Sequence, residues 1–301
     1  MRIKEFRSYF IQELSPIYDE GEVESFFYLI LENKHQLKRI DFALQNDLVF
    51  SEKEIQNWNS IIEQLKQEIP IQYILGKNSF YGLDFEVNEN VLIPRPESEE
   101  LVDWIIESWK LGVESLKLEV AGESLNALDI GTGSGCIAIS LAKNLQNFQV
   151  FAIDVSEKAI ETAEKNAKKN NVSIHFIETD ILKLNYLEEL STSNFLLPAK
   201  YNIIVSNPPY VRHLEKAEIK RNVLDNEPHL ALFVDDNDAL IFYRKIAELA
   251  LKKLSKKGKL YFEINQYLGK ETVDLLAKMN FKNIELRKDI YGNDRMIRCE
   301  I

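Results

Sequence analysis

The sequence predicts an α/β protein: a mostly parallel sheet with helices on both faces, preceded by a small helical bundle and joined to it by a β-hairpin. Three features of the 301 residues predict this. Residues 1–71 repeat apolar positions at helical spacing and contain a single glycine, Gly21. Residues 72–96 change to an alternating pattern and end in Pro94 and Pro96. From 97 to 301, short apolar runs alternate with amphipathic segments, as expected of strands buried on both faces between crossover helices. These stretches are the expected helical domain, linker and larger α/β domain.

In the first stretch, Ser51 and Glu54 form an S-x-x-E capping box, and Ile55, Trp58, Ile61, Ile62 and Leu65 then share one helical face. Pro70 is expected to close that helix, within a bundle of four or five short helices. In the second, Leu83, Phe85 and Val87 alternate after Gly82, the pattern of a hairpin turning at the glycine. Pro94 and Pro96 hold the chain extended, and a helix is expected from Glu97 to Lys110. A polar connection follows at Gly112–Ser124. Strands are then expected at 126–130, 149–153, 173–177, 201–206 and 259–264, and helices at 135–145, 156–170 and 239–254.

Hydrophobic residues make up 45% of the chain and charged residues 28%, enough apolar material for a sizeable core. A formal net charge of −11 argues against binding nucleic acid through its phosphates, which requires a surplus of Lys and Arg. Cys136 and Cys299 are the two cysteines, so neither a disulfide framework nor a cysteine zinc site is expected. The four histidines (His35, His175, His213 and His229) are scattered, and no metal is expected. No run approaches the roughly 18 apolar residues that a membrane span needs, and Met1–Arg7 lacks the apolar core of a signal peptide. A cytoplasmic monomer is the expectation.

Every chemical motif falls at the carboxyl end of an expected strand, where open α/β sheets bind ligands. The first strand runs into Asp129-Ile130-Gly131-Thr132-Gly133-Ser134-Gly135, directly before a helix. This G-x-G-x-G is one residue shorter than the dinucleotide fingerprint, which favours a nucleoside ligand without phosphates. S-adenosylmethionine is such a ligand: its carboxylate suits the helix N-terminus and its sulfonium the open loop. Asp154 ends the second strand and is placed to accept from ribose hydroxyls; capping the helix at Ser156 is its other use. After the third strand, Asp180 suits the adenine amino group and Ile181 the purine face, although Asp180 reads equally as a plain loop residue.

The fourth strand ends in Asn207-Pro208-Pro209-Tyr210, where two prolines force the chain out of the sheet. The turn sets the Asn207 side-chain oxygen and the Pro208 carbonyl to accept both hydrogens of one planar NH2 group. An amide or amino nitrogen held this way presents its lone pair to a sulfonium methyl, with Tyr210 on its flat face. Transfer is then a direct in-line displacement, leaving S-adenosyl-L-homocysteine.

Together these motifs resemble the peptide-chain release factor glutamine methyltransferases, the HemK family. The resemblance runs through Gln72-Tyr73-Ile74-Leu75-Gly76, Phe80-Tyr81-Gly82, Leu92-Ile93-Pro94-Arg95-Pro96-Glu97-Ser98-Glu99, the glycine loop, Asn207–Tyr210, Glu227-Pro228 and Asp289-Ile290-Tyr291-Gly292-Asn293-Asp294-Arg295. Asn-Pro-Pro-Tyr is shared with DNA and RNA amino-methyltransferases, whereas its combination with Ile-Pro-Arg-Pro-Glu-Ser is far more specific. The resemblance implies a Rossmann-like class I S-adenosylmethionine-dependent methyltransferase domain behind a helical substrate-recognition domain. It implies transfer to N5 of the glutamine in the Gly-Gly-Gln motif of class 1 release factors, with Arg95, Pro96 and Glu97 beside the substrate loop. Asn265 stands where the family commonly has a glycine, and is expected to tolerate left-handed backbone there. The segment 234–238 also lacks the family's glycines, which leaves its conformation open. The rival, a base-amino methyltransferase, must flip a base and hold phosphates, and the acidic composition disfavours it.

Overall fold

A computed structural model describes residues 1–44, 48–116, 125–190 and 197–301. The described chain divides into two compact units: residues 1–77 with 220–226, and residues 78–219 with 227–301.

The first unit holds α1 (Ile3–Leu14), α2 (Glu20–His35), α3 (Arg39–Leu44), α4 (Glu52–Lys66) and α5 (Ile71–Leu75). The capping box forms: Ser51 N–H donates to Glu54 Oε2 at 2.7 Å, and Glu54 N–H donates to Ser51 Oγ at 3.3 Å. The apolar face of α4 then buries Trp58 at the centre of the bundle, in edge contact with Phe6 and Phe10 and tilted against Phe27 and Phe50. Such offset ring contacts add to the stabilisation from burial alone. Pro70 does not close α4. That helix stops at Lys66, with Glu68 in left-handed backbone at φ +58°, and Pro70 instead caps the start of α5. Lacking an N–H, proline suits a helix start, where that donor has no partner to lose.

The second unit opens with the hairpin of β1 (Lys77–Phe80) and β2 (Leu83–Glu86), joined through Tyr81 and Gly82. Both turn residues have positive φ, +48° and +73°, matching a tight turn to the twist of the strands. Then follow α6 (Pro96–Leu116), β3 (Leu125–Ile130), α7 (Cys136–Asn144), β4 (Phe148–Asp154), α8 (Glu157–Lys169), β5 (His175–Glu178) and β6 (Tyr201–Ser206). After β7 (Val211–Arg212) the chain passes through α9 (Arg221–Asn226), which belongs to the first unit, and then continues with α10 (His229–Leu232), β8 (Phe233–Val234), α11 (Ile241–Lys253), β9 (Leu254–Glu263), α12 (Gly269–Lys278), β10 (Lys282–Lys288) and β11 (Asp294–Glu300). The connection expected at Gly112–Ser124 starts later than the sequence suggested: residues 112–116 are still helical, because α6 continues to Leu116, and 117–124 lie outside the described residues.

Among the described residues, seven strands form the main sheet in the order β10-β11-β9-β6-β3-β4-β5. Strands β9, β6, β3, β4 and β5 run parallel; β11 pairs antiparallel with β9, and β10, antiparallel to β11, runs in the same direction as those five. Sequential order reverses between β3 and β6, so the crossovers leave in opposite directions and open a crevice at those carboxyl ends. Each central strand feeds two apolar layers. Leu128 and Ile204 pack with Tyr243 and Ile246 of α11, whereas Ala127 and Ile203 pack with Leu101 and Ile105 of α6. Burial on both faces is why these strands read as continuous apolar runs.

Helix α12 and the β10–β11 pair are elements that the apolar pattern of the sequence does not announce. Strand β9 also begins at Leu254 rather than 259, and a register shift separates its pairings of Leu254 and Lys259 with β6. A β-carbon at Gly258 would lie 2.7 Å from the Tyr201 carbonyl, so this irregularity requires glycine.

One buried side chain ties the hairpin to the glycine loop. Asn166 on α8 accepts from Glu86 N–H at 2.6 Å and donates to the carbonyls of Glu86 and Ser134 at 3.0 and 2.9 Å. Asn166→Ala leaves these backbone groups without partners, and a loss of about 3 kcal/mol is expected. Urea unfolding checks this; an unchanged midpoint would refute it.

Candidate active site

The glycine loop takes its shape from three residues with positive φ: Gly131 (+77°), Gly133 (+54°) and Gly135 (+81°). Two N–H groups, from Gly131 and Thr132, donate to the Ile153 carbonyl at 2.8 and 3.0 Å and fold the loop over the end of β4. A β-carbon at Gly135 would meet Ile139 Cδ1 at 2.9 Å and Ala163 Cβ at 3.1 Å, so glycine there lets α7 and α8 approach. At Gly133 the same atom would meet nothing within 4 Å, because that backbone faces a cavity.

Three aspartates shape the loops. Asp129 is buried behind the glycine loop; its Oδ2 accepts from Thr132 Oγ1 at 2.7 Å and Ala138 N–H at 3.2 Å, while its Oδ1 has no partner among the described residues. Burial pushes its pKa up to about 7, against the pull of those two bonds. Asp154 accepts from Gly133 N–H at 2.8 Å and Ser156 N–H at 2.9 Å, and burial raises its pKa too. Asp180 accepts from Leu182 N–H at 3.0 Å and pairs with exposed Lys183 at 3.1 Å. Asp154 does not cap α8: Ser156 does, its Oγ accepting from Ala159 N–H at 3.3 Å, while Asp154 holds the Ser156 N–H and keeps further acceptor sites on its oxygens.

Beside this loop, Ser206 at the end of β6 donates its hydroxyl to the Ile130 carbonyl at 2.6 Å, joining the ends of β6 and β3. Asn207 follows immediately. Its Nδ2 donates to Ser98 Oγ at 3.2 Å, and Ser98 donates to Glu263 Oε2 at 2.5 Å. Tyr210 donates its hydroxyl to the other oxygen, Glu263 Oε1, at 3.0 Å. Burial raises the pKa of Glu263, opposed by those two hydroxyl bonds and by the charge of Arg295. Across the cavity mouth, Glu227 accepts from Arg95 at 2.5 Å and from Ile93 N–H at 3.2 Å, which pins the Pro94-Arg95-Pro96 segment.

One cavity gathers most of the candidates. Gly131, Thr132, Gly133, Ser134, Asp154, Asp180, Ile181, Asn207, Pro208, Pro209 and Arg95 line it. Asp129 and Gly135 lie behind the loop, Tyr210 is drawn back against Glu263, and Pro96 and Glu97 open α6; none of these five is in the wall. Ser98, Phe242 and Ile246 also line the cavity, and Glu263 and Glu227 organise it from behind. Phe242 and Ile246 carry no signal of their own in the sequence; Ser98 and Glu227 stand there within the motifs of the resemblance but without a role, and for Glu263 a carboxylate ending a central apolar strand is a usable signal. Among the described residues of the wall the one basic side chain is Arg95, already paired with Glu227, while Asp154 and Asp180 supply carboxylates. That donor set suits a cationic nucleoside better than a phosphorylated one. Among the described residues no cluster of three or more His, Cys, Asp or Glu could hold a metal, and no helix is long and apolar enough to cross a membrane.

Asn265 departs from expectation. Its backbone is not left-handed; its side chain donates to the Tyr210 carbonyl at 2.9 Å and to Glu215, and accepts from Tyr267 N–H at 2.9 Å. A hydrogen-bonding side chain, rather than a permissive backbone, builds this turn. The segment after Glu227-Pro228 is ordered by Asp235, which accepts from Asn237 N–H at 2.8 Å, and by Asp238, which pairs with Arg244 at 2.8 Å.

Family models match both parts of the chain: the PrmC N-terminal domain over residues 5–76 and the methyltransferase small domain over residues 110–231. A release factor glutamine methyltransferase of Flavobacterium psychrophilum is 60% identical over 298 residues, covering 99% of both chains. Relatives of the same name from Bacteroides thetaiotaomicron and Streptococcus pneumoniae are each 41% identical, over 96% and 99% of this chain. Among solved structures, the hMettl16 catalytic domain in complex with the MAT2A 3'UTR hairpin 6 aligns with a TM-score of 0.54 at 16% identity, covering 91% of this chain and 92% of that one. That likeness speaks for the fold alone. With a 60% identical relative matched end to end, the chain belongs to the release factor glutamine methyltransferase family.

Proposed function

We propose that the protein transfers a methyl group from S-adenosylmethionine to N5 of a glutamine side chain in a class 1 release factor, at its Gly-Gly-Gln motif. One observation carries the chemistry: Asn207 sits at the cavity wall with its NH2 turned to Ser98, which leaves its oxygen as the acceptor. When bound, the cofactor supplies an electrophilic methyl. The protein supplies position. Gly131, Gly133 and Ser134 would face the amino-acid part of the cofactor, Asp154 its ribose, and Asp180 and Ile181 its base. Pro208 and Pro209 hold the backbone at Asn207 rigid, so that the Asn207 oxygen and the Pro208 carbonyl take the two amide hydrogens and leave the nitrogen lone pair directed at the methyl. Tyr210, tethered to Glu263, anchors the far end of that turn. Arg95, fixed by Glu227, stands with Pro96 and Glu97 on the side where the protein substrate would enter. The acidic chain disfavours a nucleic-acid base as acceptor. Both cysteines are free thiols, in keeping with a reducing cytoplasm.

Three outcomes are expected. With methyl-labelled S-adenosylmethionine, label enters a release factor and is lost when its Gly-Gly-Gln glutamine is replaced; label in mixed oligonucleotides instead would identify the acceptor as a base. Asn207→Ala lowers kcat at least about a hundredfold while the cofactor Kd, from calorimetric titration, moves by less than about threefold. Asp154→Ala acts the other way, weakening cofactor binding at least about tenfold, and an unaltered titration curve would exclude it from the site.

A further inference from the structure

An asparagine amide has two ends of nearly equal shape and opposite hydrogen-bonding sense. If Nδ2 of Asn207 faced the target nitrogen, donor would meet donor and the acceptor amide would be repelled. Something must hold the side chain one way round. Proline supplies rigidity to the backbone of this turn but does not choose between the two ends of the asparagine.

Ser98 makes the choice. Its hydroxyl has one hydrogen, and Glu263 Oε2 at 2.5 Å claims it. A carboxylate only accepts, so toward Asn207 the Ser98 oxygen presents lone pairs alone. Only Nδ2 can meet them, and it does, at 3.2 Å. Among the described residues no protein donor reaches Asn207 Oδ1, which is left for a ligand. The same carboxylate takes the Tyr210 hydroxyl through Oε1, three residues beyond Asn207, so one buried group holds both ends of the Asn-Pro-Pro-Tyr turn. Glu263 is 1% exposed and Ser98 is 2% exposed, so water does not compete for these bonds. The three groups come from the start of α6, the end of β6 and the end of β9.

Resting on the assignment of Asn207 as the amide acceptor, we propose that Glu263, acting through Ser98, is a positioning residue that sets the polarity of the Asn207 amide. Its carboxylate makes Ser98 a one-way relay: donor to Glu263, acceptor from Asn207. The Asn207 oxygen is thereby committed to the acceptor NH2 before substrate arrives, and no reorientation is needed during transfer.

Steady-state kinetics on the full chain, with a release factor as methyl acceptor, test this alongside cofactor Kd by titration. Ser98→Ala should lower kcat at least about tenfold with Kd within about twofold, and Ser98→Thr, which keeps the hydroxyl, should restore kcat to within about threefold. Glu263→Gln, which brings an NH2 donor within reach of Ser98, should also lower kcat. The double variant Ser98→Ala/Glu263→Gln should be no slower than Ser98→Ala, because both act along one path. Undiminished kcat in Ser98→Ala, no rescue by Ser98→Thr, multiplying losses in the double variant, or parallel loss of cofactor binding would each overturn the inference. Its failure is distinguishable from that of the assignment beneath it: an inactive Asn207→Ala beside an active Ser98→Ala refutes only the relay.

Discussion

The structure turns on the meeting of two parallel strands, β3 and β6, where the order of the sheet reverses. Their carboxyl ends are tied by the 2.6 Å bond from Ser206 to the Ile130 carbonyl, and one residue farther along each chain stand Gly131 and Asn207. A β-carbon at Gly131 would lie 3.8 Å from the Asn207 carbonyl. The cofactor loop and the turn proposed to hold the acceptor are thus neighbours by construction of the sheet. Crossovers leaving in opposite directions supply the crevice, and the two motifs supply its walls.

Buried carboxylates do the arranging around this meeting point. Asp129, Glu227 and Glu263 are nearly inaccessible, and Asp129 through one oxygen, Glu227 and Glu263 through both, accept from donors that hold a functional segment: the glycine loop, the Pro94-Arg95-Pro96 strap and the Asn-Pro-Pro-Tyr turn. Burying a carboxyl group costs free energy unless such donors are present. Geometry and solvation are therefore coupled: a loop that drifts leaves a buried acceptor without its partner. Asn166 plays the neutral version of this part between the hairpin and the glycine loop.

Much of this was legible in the sequence because local rules and fold agree where strands are buried on both faces. The apolar runs at β3, β4 and β6 and the motifs at their ends need no tertiary knowledge to be found. Legibility fails where partners are far apart or patterns are mixed. Ser98 and Glu263 stand 165 residues apart, and no local spacing joins them. Strand β10 is exposed at both ends, and both β10 and β11 are rich in charge, so Asp289–Arg295 reads as a motif without an element to carry it. Pro70 shows a third limit: a proline after a helical stretch marks a boundary without saying whether it ends one helix or begins the next.

The helical unit is not one continuous piece of chain. Residues 220–226, the whole of α9, pack with it: Asn226 Nδ2 donates to the Glu68 carbonyl at 3.2 Å, and Arg221 pairs with the Glu68 carboxylate at 3.4 Å. Severing the polypeptide at Lys77 therefore strips this unit of a helix encoded far downstream, and strands α9 without the groups it rests on. Among the described residues the apolar core of the unit, by contrast, comes entirely from residues 3–75, so what the returning helix adds is polar and lies at its edge.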